Sequence, residues 1–405
     1  MQTTLHKNIK DTAEGRKADS ILRSCVHCGF CNATCPTYQL LGDELEGPRG
    51  RIYLIKQLLE TGSSSRQTQQ HLDHCLTCRN CETTCPSGVE YHSLLEIGRR
   101  FNEKQAPRKP LARALRRLLR LLLPYRERMR TLVRLANYIR PLLPAKYKRQ
   151  LPCKPPVSYP AGAQHDRKVI MPAGCAQDAL AADINRDARR LLDKLGITCI
   201  SPEDDTCCGA VSAHLSAEDE ALHFIRQNID AWWPDIEDGA EAIVSTASAC
   251  GLMVKDYGKL LADDADYADK ARRVSELCMD ISEYLQQQNL ASLPFVHSRR
   301  IAFHAPCTLQ HGHGITGVVE SLLQQRGYEL THTIDPHLCC GSAGTYSILQ
   351  PELSQRLLHN KLDSLLTDSP EVIATANVGC LLHMRSTSTV PVVHWLQLLI
   401  DDTRH

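Results

Sequence analysis

Apolar residues follow two different periods along this chain, one in its N-terminal part and another after residue 166. Pro48 to Glu60 carries Ile52, Ile55, Leu58 and Leu59 at helical spacing, with Pro at a first helical position and Thr61-Gly-Ser-Ser-Ser as the stop. Tyr91 to Phe101 reads as a second amphipathic helix. Leu111 to Leu123 predicts a third: Leu111, Leu115, Leu118, Leu119 and Leu122 form one stripe, and Arg113, Arg116, Arg117 and Arg120 lie mainly off it. Farther on, short β-branched runs alternate with helical patterns, which predicts α/β units with parallel sheets.

That second half is written twice. Cys175, Cys207-Cys208-Gly209 and Cys250 are matched by Cys307, Cys339-Cys340-Gly341 and Cys380, at offsets of 132, 132, 132 and 130 residues. The flanks repeat as well. Lys168-Val-Ile-Met resembles Arg300-Ile-Ala-Phe, Glu241-Ala-Ile-Val resembles Glu371-Val-Ile-Ala, and helices ending at Gly196 and Gly327 fall between. In each copy the cysteines sit where strands end, the usual place for a site in such folds.

Composition separates the halves. Of 405 residues with a formal net charge of +1, the stretch Arg108 to Arg149 holds fourteen Lys/Arg against one acidic residue, Glu127, so about −12 falls on the remainder. Pro152, Pro155, Pro156 and Pro160 follow. The expected division is residues 1–104 as a mostly helical domain, 105–165 as a basic helical segment and Pro-rich linker, and 166–290 and 291–405 as two α/β repeats.

Nineteen cysteines change the picture most. Cys25-Val-His-Cys28-Gly-Phe-Cys31-Asn-Ala-Thr-Cys35-Pro36 recurs fifty residues later as Cys75-Leu-Thr-Cys78-Arg-Asn-Cys81-Glu-Thr-Thr-Cys85-Pro86. Both runs are C-x2-C-x2-C-x3-C-P, the spacing of a two-cluster bacterial ferredoxin. Three thiolates of one cubane come from one tight turn, and the fourth reaches the other cluster. The expected ligands are Cys25, Cys28, Cys31 and Cys85 for one [4Fe-4S] cluster, and Cys75, Cys78, Cys81 and Cys35 for the second. Zinc sites favour paired knuckles with a longer gap, so zinc is the weaker alternative. His27 and His74 beside the ligands are expected at the surface or behind the ligands. An odd, clustered cysteine count argues for metal ligation in a reducing compartment rather than disulfides. Cys153, Cys199 and Cys278 have no partner spacing and read as structural.

The doubled CCG text resembles the CCG (cysteine-rich) domain family of heterodisulfide reductases and membrane-linked dehydrogenases. That family's pattern, C…CC…C-x2-C, implies five cysteines per domain for an iron–sulfur or other metal site. Here Met253 and His383 replace the last cysteine of each copy. Cys175, Cys207, Cys208 and Cys250, with Cys307, Cys339, Cys340 and Cys380, remain as a possible metal or redox set, a relic of one being the alternative.

Taken together, the two ferredoxin runs and two CCG repeats resemble the family of glycolate oxidase (glycolate dehydrogenase) iron–sulfur subunits. The similarity is carried by Cys25–Tyr38, Leu40–Leu54, Cys75–Val89, Asn228-Ile-Asp-Ala-Trp-Trp-Pro, Cys307-Thr-Leu-Gln-His and Leu338-Cys-Cys-Gly-Ser-Ala-Gly-Thr-Tyr. The resemblance implies an α+β multidomain oxidoreductase subunit with no catalytic residue of its own. FAD would lie on partner subunits, GlcD-like and GlcE-like, that oxidise glycolate to glyoxylate. Electrons would pass through this chain toward quinone or another carrier. No G-x-G-x-x-G fingerprint occurs, which fits a chain without flavin. The iron–sulfur subunit of anaerobic glycerol-3-phosphate dehydrogenase and a heterodisulfide-reductase-like thiol–disulfide enzyme are the competing readings.

The first twenty residues hold no apolar run, so no secretory signal is expected, and no run approaches a spanning length. The expectation is a cytoplasmic protein, peripheral on the cytoplasmic face of the inner membrane. Its basic helix would meet anionic lipid or a partner, and nucleic acid is excluded because no recognition motif accompanies the charge.

Overall fold

The computed structural model describes residues 1–152, 163–291, 293 and 299–400. Cys153 and most of the expected linker, Pro155, Pro156 and Pro160 included, lie outside the described residues. The chain forms two compact units, Met1–Leu118 with His337–Lys361, and Leu119–Pro336 with Leu362–His405.

The first unit is helical. Pro48–Thr61 forms the expected helix and ends on Gly62, whose φ of 69° closes the last turn in the left-handed region. Its face of Ile52, Ile55 and Leu59 packs against Leu94, Leu95 and Ile97 of the helix Tyr91–Gln105. The crossing is close: a Cβ on Gly98 would stand 2.7 Å from Ile55 Cγ1. Thr12 caps the helix Ala13–Ser24 by accepting from Gly15 N–H at 3.0 Å. The same core takes in Cys25 and Cys81, with Cys31, Cys75 and Cys85 packed on its edge. Cys25 and Cys81 therefore stand in an apolar, water-poor setting.

The second unit carries two parallel four-stranded sheets with the same strand order. Strands β1 (Arg167–Ile170), β2 (Ile197–Ile200), β3 (Ala242–Ser245) and β4 (Cys278–Asp280) run in the order β2-β1-β3-β4. Strands β5 (Arg300–His304), β6 (Glu329–Leu330), β7 (Val372–Thr375) and β8 (Val392–His394) run in the order β6-β5-β7-β8. Every pairing is parallel. The central strands β3 and β7 are buried along their whole length, as sheets with both faces covered require. Val169 and Val244 of the first sheet share one core with Ile301, Phe303, Val372 and Ala374 of the second. The α+β expectation holds, a helical N-terminal region followed by two α/β repeats.

The basic segment forms the helices Pro110–Leu122 and Arg126–Tyr138. Of the leucine stripe only Leu119 is buried; Leu111 is 82% and Leu118 50% exposed. Arg116 meets Asp73 at 3.3 Å, and Arg120 meets Glu220 at 3.5 Å. Arg113 and Arg117 stay exposed beside the leucines. No helix among the described residues is long and apolar enough to cross a membrane.

Candidate metal centres

Each cysteine run in the first unit is one helix end, one tight turn and one short helix. Cys25 follows Ala13–Ser24, and Cys75 follows Arg66–Asp73 by one residue. Within the turns, His27 and Gly29 have φ of 59° and 86°, and Thr77 and Arg79 have φ of 53° and 60°. These left-handed residues fold each C-x2-C-x2-C back on itself, so that three thiols face one side. A four-residue helix follows, Phe30–Ala33 or Asn80–Thr83, and carries the chain to the fourth cysteine.

Those fourth cysteines cross over. One cavity is lined by Cys25, Cys28, Cys31 and Cys85, and a second by Cys35, Cys75, Cys78 and Cys81. Cys81 also touches the wall of the first. All eight thiols are free of disulfides. Burial, then the neighbouring thiol of Cys25, pushes Cys31 up to about 11, and burial followed by Cys78 and Cys75 pushes Cys81 up as well. Four crowded thiols gathered around a void are a soft donor set, and a cationic iron–sulfur core reverses that electrostatic penalty. The residues present fit such a group.

The second cavity has a polar wall that the spacing did not announce. Arg51, 1% exposed, donates from Nη2 to Glu46 Oε2 at 2.8 Å, from Nη1 to Thr37 Oγ1 at 3.1 Å and from Nε to the His71 carbonyl at 2.7 Å. Thr37 Oγ1 lies 3.3 Å from Cys35 Sγ, and Tyr91 O–H donates to Cys75 Sγ at 3.7 Å. His71 and His74 both bond Glu46 Oε1 through Nδ1, at 2.7 and 2.9 Å. Burial opposes the charge of Glu46, yet His74, Arg51 and His71 hold its carboxyl below the usual range. Of the two histidines beside ligands, His74 thus joins this network, while His27 packs edge-on against Tyr53. Arg51 sits on the apolar face of its helix, in line with Ile55 and Leu58. That misplaced charge was the signal.

In the second unit the four cysteines of the first repeat form a row. Cys175 opens the helix Cys175–Leu180, Cys207 and Cys208 precede Gly209, and Cys250 lies in the helix Ser248–Lys255 that follows β3. The Sγ atoms of Cys175 and Cys207 are 3.6 Å apart. The Cys208 thiol hydrogen-bonds those of Cys207 and Cys250, and these bonds draw its pKa well down. Asn228 and Tyr257 donate to the carbonyls of Cys207 and Cys208 at 2.9 and 3.0 Å. Met253, at the family's fifth position, lies against the CCG turn: its Cε would be 3.5 Å from a Cβ on Gly209. The second repeat's cysteines are divided, Cys307 and Cys380 belonging to the second unit and Cys339 and Cys340 to the first. Cys199 and Cys278 lie in β2 and β4, where burial pushes each up to about 12. They remain protonated and pack as small apolar groups.

Comparison with known proteins follows the same lines. The family described as 4Fe-4S dicluster domain matches residues 21–89, and the Cysteine-rich domain matches residues 169–255 and 301–385. The molecule is thus an iron–sulfur protein, with one match to the dicluster domain and two to the cysteine-rich domain. Across 98% of both chains it is 50% identical to the glycolate oxidase iron-sulfur subunit of Escherichia coli (strain K12). It is 28% identical, again over 98% of both, to the probable glycolate oxidase iron-sulfur subunit of Bacillus subtilis (strain 168). Lactate utilization protein A of Bacillus subtilis (strain 168) matches 57% of this chain and 98% of its own length at 24% identity. A hypothetical protein from Helicobacter pylori shares the fold, with a TM-score of 0.59 at 8% identity over 97% of this chain and 73% of that one. The chain belongs to the family of glycolate oxidase iron–sulfur subunits.

Proposed function

We propose that this chain conducts single electrons in a glycolate oxidase complex, from a flavin-bearing partner that oxidises glycolate to glyoxylate toward quinone or another carrier. The observation that carries the reading is the crosswise gathering of eight thiols around two cavities. In this reading Cys25, Cys28, Cys31 and Cys85 hold one [4Fe-4S] cluster, and Cys75, Cys78, Cys81 and Cys35 hold the other. A bound cluster supplies a one-electron redox couple. The chain's own residues do the rest. The apolar core of Ile52, Ile55, Leu94 and Leu95 keeps water from the sulfurs of Cys25 and Cys81, and buried polar groups set the local field. No substrate chemistry is assigned to this chain, so FAD and glycolate belong to partner subunits.

The domain division at 104, 165 and 290 is part of the same proposal, as is a metal or redox role for Cys175, Cys207, Cys208 and Cys250, with Cys307, Cys339, Cys340 and Cys380 as their counterparts. Peripheral attachment to the cytoplasmic face of the inner membrane is supported by the exposed leucines of Pro110–Leu122 and the exposed Arg113 and Arg117 beside them. The glycerol-3-phosphate and thiol–disulfide alternatives are not favoured, since the 50% relative is a glycolate oxidase subunit.

Reconstitution tests the function. Partner subunits supplied with glycolate and a quinone should turn over quickly only when this chain is added. Equal rates without it would end the electron-conducting reading.

A further inference from the structure

The two cavities differ in the charge built into their walls. Arg51 lines the cavity of Cys35, Cys75, Cys78 and Cys81 and is 1% exposed. Arg49 lines the other, but its side chain is 36% exposed and paired at 2.6 Å with that of Glu44, itself 41% exposed. Water screens Arg49 and leaves it little field at the first cavity. Arg51 has no such screening.

Its counter-ion offsets it only in part at the cavity. Glu46 approaches Arg51 through Nη2 but does not line the cavity, and it shares its other oxygen between His71 and His74. Burial works against the Arg51 charge. Its ion pair with Glu46 and its hydrogen bonds to Thr37 and the His71 carbonyl hold the charge in place all the same. Thr37 Oγ1, which accepts from Arg51 at 3.1 Å, lies 3.3 Å from Cys35 Sγ, so the cation stands one side chain away from a thiol of the second set. Guanidinium does not deprotonate in a protein, so the charge is permanent.

Reduction of a cluster adds one negative charge. In a low-dielectric pocket a fixed cation favours the reduced form. We propose that Arg51 makes the cluster held by Cys35, Cys75, Cys78 and Cys81 the higher-potential of the two, so that an electron entering the chain settles there in preference to the other cluster. The inference rests on the two-cluster reading above. Arg51 touches no substrate and acts as a positioning charge, through the field at the thiolates.

The test is an EPR-monitored redox titration of the anaerobically purified full chain, with signals assigned through a Cys78→Ser variant. Arg51→Gln should lower the potential of that cluster by about 60 mV, the equivalent of a tenfold loss in its one-electron reduction equilibrium, and leave the other in place. Arg51→Lys, which keeps the charge, should restore most of the shift. Glu46→Gln should move the same cluster upward, because it removes the counter-charge. A merely structural role for Arg51 would not give opposite signs at the two ends of one ion pair. Unmoved potentials in Arg51→Gln, equal shifts in both clusters, or no rescue by lysine would overturn the inference. Should the Arg51 variants lose the cluster altogether, Glu46→Gln decides, and an unchanged or lowered potential overturns it. A wild-type chain without two cluster signals would instead sink the two-cluster reading, and this inference with it.

Discussion

Cys35 and Cys85 have changed places: Cys85 lines the cavity of Cys25, Cys28 and Cys31, and Cys35 that of Cys75, Cys78 and Cys81. The last cysteine of each run is followed by proline, which opens the helix Pro36–Leu41 in one copy. Proline at that position fixes the backbone direction after the thiol and turns the chain away from its own run. The exchange ties each run's integrity to the other.

A pair of serine substitutions reads this out. Cys85→Ser should cost chiefly the cluster of the first run and Cys35→Ser chiefly that of the second. Iron should fall from about eight to about four per chain in each case, since each cubane holds four. EPR of the reduced proteins would show the surviving signal. Loss of the same cluster from both variants would contradict crosswise ligation.

Much of this was legible beforehand, for definite reasons. The ferredoxin spacing is a ligand geometry written directly in the order of residues, so both cavities could be read from it. The central strands were legible because Val169-Ile170, Ile243-Val244, Ile301-Ala-Phe303 and Val372-Ile373 are buried apolar runs rich in β-branched residues. Their outer neighbours were not. Strand β6 spans only Glu329–Leu330 and β8 only Val392–His394, too short for any periodicity to register. The leucine stripe of the basic helix was visible, but periodicity reports amphipathicity without saying what covers the apolar face. Arg51 shows in the sequence as a charge on an apolar face, but its partner does not, because the ion pair that allows a charge at a core position depends on Glu46 folding back from outside the helix.

The exposed stripe makes its own prediction. Leu115 and Leu118 are 36% and 50% exposed, so glutamate there should leave thermal stability within about 0.5 kcal/mol of wild type. Binding to vesicles of 30% phosphatidylglycerol in phosphatidylcholine should instead be lost, because the substitution removes inserted area and adds repulsion. Flotation with and without salt measures it. Wild-type protein that stays at the bottom of the gradient would show that this face meets no anionic lipid.

The CCG glycines are required by backbone geometry. Gly341 has φ of 84°, and a Cβ there would stand 2.6 Å from the Ser354 carbonyl oxygen. Ser354 Oγ also donates to the Gly341 carbonyl at 2.8 Å, which pins the two segments together. Gly341→Ala should destabilise by about 2 kcal/mol or more through left-handed strain and the clash. Denaturant titration of the full chain checks the figure. An alanine variant within about 0.5 kcal/mol of wild type would mean the turn relaxes freely.

His394 gives the second unit a built-in sensitivity to acid. It ends β8 fully buried, its Nδ1 accepts from the Leu396 N–H at 3.4 Å, and its Nε2 lies 3.0 Å from the Thr246 carbonyl oxygen. This arrangement needs neutral imidazole with the proton on Nε2, since a proton on Nδ1 would face the Leu396 N–H. Burial lowers the pKa from 6.5 to about 4, outweighing the Thr246 hydrogen bond that favours protonation. The unfolded chain therefore binds a proton at a pH where the folded one does not. The associated stability is present in full above about pH 6.5 and is lost as pH falls toward 4, in total about 3 kcal/mol. Unfolding followed by the fluorescence of Trp395, whose ring lies 6.4 Å from that of His394, reports on this region. Between pH 7.5 and 5.5 the wild type should lose about 1.4 kcal/mol that a His394→Gln variant does not. Parallel slopes for the two proteins would show that His394 titrates alike in the folded and unfolded states.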